Sequence, residues 1–188
     1  ADPLGDWAYS DFGEPGRILS REVIADPGFT RVRFENGVVL NVKSVAYTRA
    51  QVQISVEMGG GRSAVADADL QMASLGSAFV TLGGLGHHSQ QEMQDLFPDR
   101  RLGMGVRMSN DVFQLYASAP PVDTGLQLQM MAAMVSDPGF RDDFPGQRRQ
   151  MVDAVYRSYR TQPAAVLTLA LGEAVWPGNP RLLPPRAT

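Results

Sequence analysis

The segment AVADADLQMASLGSAFVTLGG, residues 64–84, decides how the chain is organised. Asp67 and Asp69 stand near its start, and no ionisable side chain occurs from Leu70 to Gly84. Acidic side chains suit the positive end of a helix dipole, and a pair of glycines is a common stop signal. The segment is therefore predicted to be a buried helix, with strands before it and further helices after it.

The composition is that of a globular domain with an ordinary charged surface. The 188 residues are 44% hydrophobic and 20% charged, and the formal net charge is -3. A chain of this length buries roughly 70% of the surface that its unfolded form exposes. No block of lysines and arginines predicts a nucleic-acid partner, and no apolar run of about eighteen residues predicts a membrane span. The absence of cysteine excludes disulfides and thiolate metal sites and leaves the compartment open.

The residues before the central segment predict antiparallel strands. Residues 1–28 are rich in glycine, proline and acidic side chains, and we expect them to form an extended lead-in rather than a helix or a strand. Asn36-Gly37 separates two β-type runs and predicts a hairpin with a type I′ turn, in which both central residues have positive φ. A third strand is expected over 50–58, where apolar and polar side chains alternate.

His87, His88 and Glu92 form the one cluster that invites a metal hypothesis. His88 and Glu92 are four residues apart, a spacing that places both side chains on one face of a helix. Ser89 and Glu92 also have the spacing of a capping box, which would start the helix at Ser89 and leave both histidines in the loop before it. We favour the capping box, because a catalytic zinc takes three protein ligands and Glu92 is already committed. A stand-alone metal-binding hydrolase using these three residues stays as an alternative.

The remaining residues predict a second hairpin and then helices. The strands show alternation, and the helices show apolar side chains at helical spacing. The expected elements are two strands joined at Asn110-Asp111, a helix capped by Asp123, an amphipathic helix over 147–159 and an apolar, buried helix from Pro163. No Gly-x-Ser-x-Gly elbow occurs, so the serines of the central segment are not predicted to be nucleophiles.

Five stretches, taken in order, carry a resemblance to a known family. They are FENGVVLNVK (34–43), VEMGGG (56–61), GGLGHHSQQEM (83–93), RMSNDVFQLYASAPP (107–121) and LQLQMMAAMVSDPGFR (126–141). Together they resemble the pitrilysin/insulinase family of zinc metallopeptidases, which includes the mitochondrial processing peptidases. The resemblance implies an α+β fold, in which an antiparallel sheet of about five or six strands packs against helices as the α/β roll of this family.

Active members of that family hold zinc with an inverted His-x-x-Glu-His motif on the helix after the second strand and with a Glu on a later helix. The Glu of this motif acts as the general base on the metal-bound water. In this chain the motif falls near Ser74, Ser77 and Ala78, none of which is a zinc ligand of the family type. The later helix, over 147–159, offers Asp153 but no Glu. The resemblance therefore implies no catalytic residue and no metal site in this chain.

The function so implied is that of a non-catalytic, substrate-enclosing domain of a larger zinc-dependent peptidase. Zinc is then expected in the catalytic half of the parent, which is either on the same polypeptide or a separate peptidase subunit, and the substrate is a peptide. Residues 29–176 are expected to be one α+β domain, and 177–188 a tail that links it to a following domain. A scaffold or binding module with no peptidase role is a further alternative. The compartment is unknown from the residues, and the resemblance alone favours a bacterial periplasm.

Overall fold

The computed structural model describes residues 6–46, 50–140 and 144–179. Within these ranges the chain forms six β-strands and five α-helices. The strands are β1 (Ile18–Ile24), β2 (Phe29–Phe34), β3 (Val39–Val42), β4 (Val52–Gly59), β5 (Met104–Met108) and β6 (Val112–Ala119). The helices are α1 (Leu70–Phe79), α2 (Gln90–Leu96), α3 (Thr124–Ser136), α4 (Phe144–Thr161) and α5 (Pro163–Val175).

All strand pairs are antiparallel, and the α+β fold class is confirmed. The six strands form two sheets of three, ordered β1-β2-β3 and β4-β6-β5, rather than one sheet of five or six. The chain also divides into two compact units, residues 9–51 and the remainder. The expected domain limits at residues 29 and 176 stay a prediction, and most of the expected tail lies outside the described residues.

The smaller unit, residues 9–51, contains the β1-β2-β3 sheet. β1 lies within the expected lead-in, so the prediction that residues 1–28 contain no strand is wrong. It pairs with β2 from Ile18, opposite Phe34, to Ile24, opposite Phe29. The glycines and prolines around β1 obscured it in the sequence, because a strand depends on its ladder partner more than on its own composition.

The Asn36-Gly37 hairpin is confirmed, but its turn is not of type I′. Gly37 has φ 86°, whereas Ala50 is the one non-glycine residue with positive φ in the described part of the chain. The N–H of Gly37 donates to Phe34 O at 3.1 Å, and the N–H of Phe34 donates to Val38 O at 2.9 Å. The loop is therefore 35–37, and it ends in a glycine in the left-handed region. Asn36 contributes its side chain, because its Oδ1 accepts from the N–H of Val38 at 3.1 Å.

The larger unit is built on the β4-β6-β5 sheet. Leu115, Ala117 and Ala119 of β6 are buried on one face of it. α3 packs on β6 and α1 packs on β5. The buried side chains of α3 include Met130, Met131 and Met134. This unit therefore has the expected arrangement of a half-buried sheet covered by helices.

The central segment, 64–84, is not one buried helix. α1 occupies its middle, and a 3₁₀ turn over Val80–Gly83 follows directly. Leu70 is buried, but Ser74 and Ser77 are half-buried and Gly76 is exposed. Asp69 occupies the N-cap position without a side-chain hydrogen bond to the helix. A helix that packs on one strand needs to bury only one of its faces, so an apolar sequence does not by itself make the whole helix buried.

α5 is also less buried than its apolar sequence predicts. None of its residues is buried, and it packs against α4. Leu167, Leu171 and Val175, at helical spacing, are 55–59% exposed. The prediction of a buried helix after Pro163 is therefore wrong for this chain, because apolar composition does not itself supply a covering surface.

Two glycine-rich stretches are sites of close backbone approach. Residues 60–63 lie against the β5-β6 turn, where the N–H of Gly60 donates to Asp111 O and that of Arg62 to Ser109 O, both at 2.9 Å. Gly61 has φ 45°, and a Cβ there would lie 2.4 Å from Val112 N. This glycine-rich stretch therefore holds the β5-β6 hairpin in place.

The loop at Gly83–Gly86 crosses the turn after α3 in the same way. The N–H of Gly86 donates to Asp137 O at 2.9 Å, and the N–H of Gly139 donates to Gly84 O at 3.0 Å. A Cβ on Gly83 would lie 1.9 Å from Gly139 O. Only glycine permits so close an approach. The glycines that were predicted to stop a helix therefore also join two loops.

Replacing Gly83 with alanine is expected to lower the free energy of unfolding by about 2 kcal/mol, because the new methyl group overlaps the Gly139 carbonyl. Gly76→Ala is the matched control. A Cβ at Gly76 meets no atom within 4 Å, and alanine in a helix is up to about 1 kcal/mol more favourable than glycine. Urea unfolding of the two variants measures the difference. Equal stabilities would contradict the crossing.

Candidate functional site

α1 is the helix on which the resemblance places the zinc motif. The hydroxyl of Ser77 donates to Ser74 O at 3.0 Å, a bond that stays within the helix. The side chain of Ala78 lies outside the described part of the structure. Zinc in proteins is bound by imidazole, thiolate or carboxylate groups, and none occurs from Leu70 to Gly84. The residues of α1 therefore do not fit a zinc ion.

His88, in the loop before α2, contacts Trp7 and Ala8 of the larger unit. Its Nε2 accepts a hydrogen bond from the N–H of Ala8 at 3.0 Å. Its ring stacks on Trp7, with centroids 5.2 Å apart and an interplanar angle of 13°. Trp7 also meets Phe97 edge to face and donates from Nε1 to Gln129 Oε1 at 3.1 Å. With 9% of its surface exposed, His88 is a buried structural acceptor in this arrangement.

The capping box at the start of α2 is confirmed. The N–H of Glu92 donates to Ser89 Oγ at 3.2 Å, and the N–H of Ser89 donates to Glu92 Oε2 at 2.7 Å. His87 is exposed in the loop before the helix. In the described ranges, no three or more His, Asp or Glu side chains are grouped so that they could hold a metal ion. The structure therefore places His87, His88 and Glu92 near one helix start, where Glu92 is engaged in the capping box.

A cavity of about 260 Å³ lies between α2, the chain after it, and α3. Met93, Phe97, Gln127 and Met130 are its buried lining residues. Gln90, Gln94 and Pro98 are exposed lining residues at its rim. The buried lining of the cavity is therefore apolar except for one amide, and its exposed lining includes two further amides.

Gln127 is the polar side chain of that floor, and sequence reasoning missed it. It is completely buried, and its Oε1 accepts from the N–H of Gly103 at 3.2 Å. Its Nε2 has no acceptor among the described protein groups, and the atom is enclosed on all sides. A signal was available in the sequence, because Gln127 falls on the same helical face as Met130, Met131 and Met134. A polar residue within an apolar helical stripe predicts a buried polar side chain.

Asp123 has a different role from the predicted helix cap. Its side chain makes no capping hydrogen bond to α3. Instead it is buried and accepts from Arg100, which also lines the cavity. The 3₁₀ turn at Pro121–Asp123 precedes the helix and turns this carboxylate away from the first free N–H groups. The positive charge at the cavity is thus balanced by a buried carboxylate.

The other face of the β4-β6-β5 sheet is polar and open. Gln114 accepts from Arg107 Nε, and its own Nε2 donates to Ser55 Oγ at 2.7 Å and to Glu57 Oε1 at 3.1 Å. The Arg107 guanidinium lies 5.6 Å from the centroid of Tyr116. Residues of all three strands line a broad depression here, of about 790 Å³. This polar sheet face can offer hydrogen bonds to a chain laid across it.

Two solved protease structures are similar to this chain. The periplasmic protease PqqL from Escherichia coli matches with a TM-score of 0.75 and 16% identity, over 94% of this chain and 19% of that one. A mutant of the ferredoxin protease FusC, solved in complex with Arabidopsis ferredoxin, matches with a TM-score of 0.69 and 13% identity, over 89% and 19% of the two chains. No protein-family model and no curated protein matches the sequence.

At these identities the likeness shows the fold alone. Most of this chain has the fold of a region of these two proteases, and the α+β fold class that the sequence resemblance implied is confirmed. It spans about a fifth of the length of either protease. Among the described helices, none has the length and apolar character needed to cross a membrane.

Replacing Ser89 with alanine is expected to lower the free energy of unfolding by about 1 kcal/mol, because the N–H of Glu92 loses its acceptor. Ser136→Ala is the matched control, since the Ser136 hydroxyl donates to Ala132 O within α3 and caps no helix start. Thermal unfolding followed by circular dichroism compares the two. A Ser89 variant as stable as the Ser136 variant would contradict the cap.

Proposed function

We propose that this chain is a non-catalytic, substrate-enclosing domain of a larger zinc-dependent peptidase. The observation that carries the proposal is the chemistry of α1. A helix without an ionisable side chain stands in a chain that has the fold of a region of two proteases. The fold is kept, and the groups that would bind zinc are absent from this helix.

The polar sheet face supports the enclosing role. Arg107, Gln114 and Tyr116 offer a guanidinium, an amide and an aromatic ring on one surface. Groups of this kind bind peptide backbone by hydrogen bonds without requiring a particular side chain. In this proposal the face forms part of the wall of a substrate chamber.

The exposed apolar side chains of α5 support a larger parent. Leu167, Leu171, Val175 and Trp176 expose about half or more of their surface on or just after one helix. Contiguous apolar surface of this kind marks contact with other protein. The similar proteases are several times longer than this chain, so there is room for a catalytic half on the same polypeptide. A catalytic half on a separate peptidase subunit is equally compatible with this exposed apolar surface.

The cofactor and compartment follow from the same proposal. Zinc belongs to the catalytic half of the parent, and a peptide is its substrate. PqqL is a periplasmic protease, which favours a bacterial periplasm for the parent of this chain.

The purified chain is expected to bind far less than one equivalent of zinc and to leave an unfolded peptide intact, because α1 offers no ligand. Elemental analysis after dialysis against zinc, and cleavage of fluorescently labelled casein, test both points. His88→Ala and His87→Ala are a matched pair, buried and exposed. One equivalent of zinc that is lost in His88→Ala would overturn the proposal in favour of the alternative hydrolase.

The sheet face gives a test in the parent peptidase. Arg107→Ala is expected to raise KM for a peptide about threefold to tenfold with kcat unchanged, because the lost contacts bind substrate away from the reacting bond. Val122→Ala, at an exposed residue off this face, is the control. An unchanged KM in Arg107→Ala, with zinc content also unchanged, would remove the sheet face from the chamber wall.

A further inference from the structure

We propose that Asn36 is a site of spontaneous deamidation and that the folded β2-β3 hairpin suppresses the reaction. The side chain of Asn36 loses its amide as ammonia when the backbone nitrogen of Gly37 attacks it. The modification therefore marks chains in which this hairpin has opened. The inference does not depend on the proposed function, because it uses only the loop 35–37 and the two strands beside it.

The reaction needs no group from outside the loop except water. The Gly37 nitrogen gives up its proton to solvent and forms a bond to Cγ of Asn36. The bond from Cγ to Nδ2 then breaks, and Nδ2 takes up a proton and leaves as ammonia, so that a five-membered succinimide ring remains. Water opens this ring at either of its two carbonyl carbons. Opening at Cγ gives aspartate, and opening at the main-chain carbonyl carbon of Asn36 gives isoaspartate.

The surroundings of Asn36 favour this chemistry more than those of Asn41 in the same hairpin. Asn36 and Gly37 are both exposed, so water reaches the amide and the attacking nitrogen. Gly37 has no side chain, and even a Cβ built on it would meet no atom within 4 Å. Asn41 is followed by Val42, whose branched Cβ crowds the nitrogen that would attack. Asn36 is therefore the asparagine of this hairpin that we expect to react.

One hydrogen bond of the folded loop is lost when the ring forms. The N–H of Gly37 donates to Phe34 O at 3.1 Å, whereas the nitrogen of a succinimide carries no proton. The neighbouring bond, from the N–H of Phe34 to Val38 O at 2.9 Å, holds the two ends of the loop together. An exposed loop such as this one opens by local fluctuation, without unfolding of the whole chain. Losing one backbone hydrogen bond makes the reactive state about fivefold rarer.

The two products are expected to affect the hairpin differently. The N–H of Val38 donates to Asn36 Oδ1 at 3.1 Å, and aspartate keeps this acceptor. Isoaspartate instead carries the main chain through Cβ and Cγ, which adds one backbone atom to the loop. The pair Arg33 and Val39, which lies next to the loop, can then no longer be closed by the same hydrogen bonds. Isoaspartate is therefore expected to loosen the end of the β2-β3 ladder, and aspartate is not.

Incubation of the chain at mildly alkaline pH, with and without urea, tests the proposal. Peptide mapping by mass spectrometry measures the loss of Asn36, and enzymatic methylation of isoaspartate measures that product. Conversion of Asn36 is expected to be at least about fivefold slower in the folded chain than in urea. The peptide acetyl-FENGVVL-amide, residues 34–40, corrects for any effect of urea on the chemistry itself. Asn41 is the internal control and is expected to convert far more slowly than Asn36 in urea.

Gly37→Ala tests the attacking residue, and it is measured in urea so that folding plays no part. The added methyl group crowds the nitrogen, and conversion of Asn36 is expected to slow severalfold. Glu35→Ala, on the other side of Asn36, is the matched control and is expected to convert like the unchanged chain. Equal conversion in Gly37→Ala and Glu35→Ala would contradict attack by the Gly37 nitrogen.

Two further outcomes would overturn the inference. Equal corrected rates in the folded chain and in urea would remove the protective role of the hairpin. An Asn36 that stays intact in urea, or that yields aspartate with no isoaspartate, would rule out the succinimide route. Neither outcome bears on zinc content or peptide cleavage, so this inference and the proposed function fail separately.

Discussion

The crossing of the Gly83–Gly86 loop with the turn at 137–139 is the contact on which the larger unit depends. It joins the end of the α1 segment to the end of α3, and Leu85 at its centre is completely buried. The N–H of Leu85 donates to His88 O at 2.7 Å, so the same loop closes tightly before α2. The start of α2 is thereby fixed relative to α3. Both the His88 stacking and the cavity floor follow from that placement, because each takes side chains from α2 or its flanks.

Glycine is required at this crossing for a steric reason. The carbonyl of Gly139 occupies the space in which a Cβ of residue 83 would lie, and a Cβ on Gly86 would lie 2.3 Å from the Asp137 carboxylate. Backbone hydrogen bonds between the loops then satisfy groups that would otherwise be buried without partners. The glycine run before α1 meets the β5-β6 turn by the same means. The helices of this unit are therefore held at their ends by backbone contacts as well as by packing on the sheet.

Local chemistry was predictable from the sequence, and tertiary context was not. The Asn36-Gly37 hairpin and the Ser89-Glu92 capping box are interactions within a few residues, so the sequence predicted both, although it gave the wrong turn type for the hairpin. β1 was missed because its order depends on β2, and α5 was expected to be buried because its covering surface cannot be read from its own residues. Asp123 had a plausible local role and took a partner 23 positions away in the chain. For the candidate site, the lack of zinc-binding side chains in α1 could be read from the sequence. The cavity could not be predicted, since it is assembled from segments that are far apart in the chain.

Gln127 and Asp123 are buried polar side chains of the larger unit, and they differ in how their polar atoms are paired. Gln127 accepts from the N–H of Gly103 through Oε1, whereas its Nε2 has no acceptor among the described protein groups, and an unpaired buried amide costs about 1 to 3 kcal/mol. A second buried polar group, Asp123, lies on the same side of the unit and is paired with a residue that lines this cavity. Elsewhere the buried face of α3 is apolar, with Leu126, Met130, Met131 and Met134. The buried Asp123 is paired with Arg100 and the buried His88 accepts from the N–H of Ala8, so these polar groups contribute to the packing of the unit through partners within the protein.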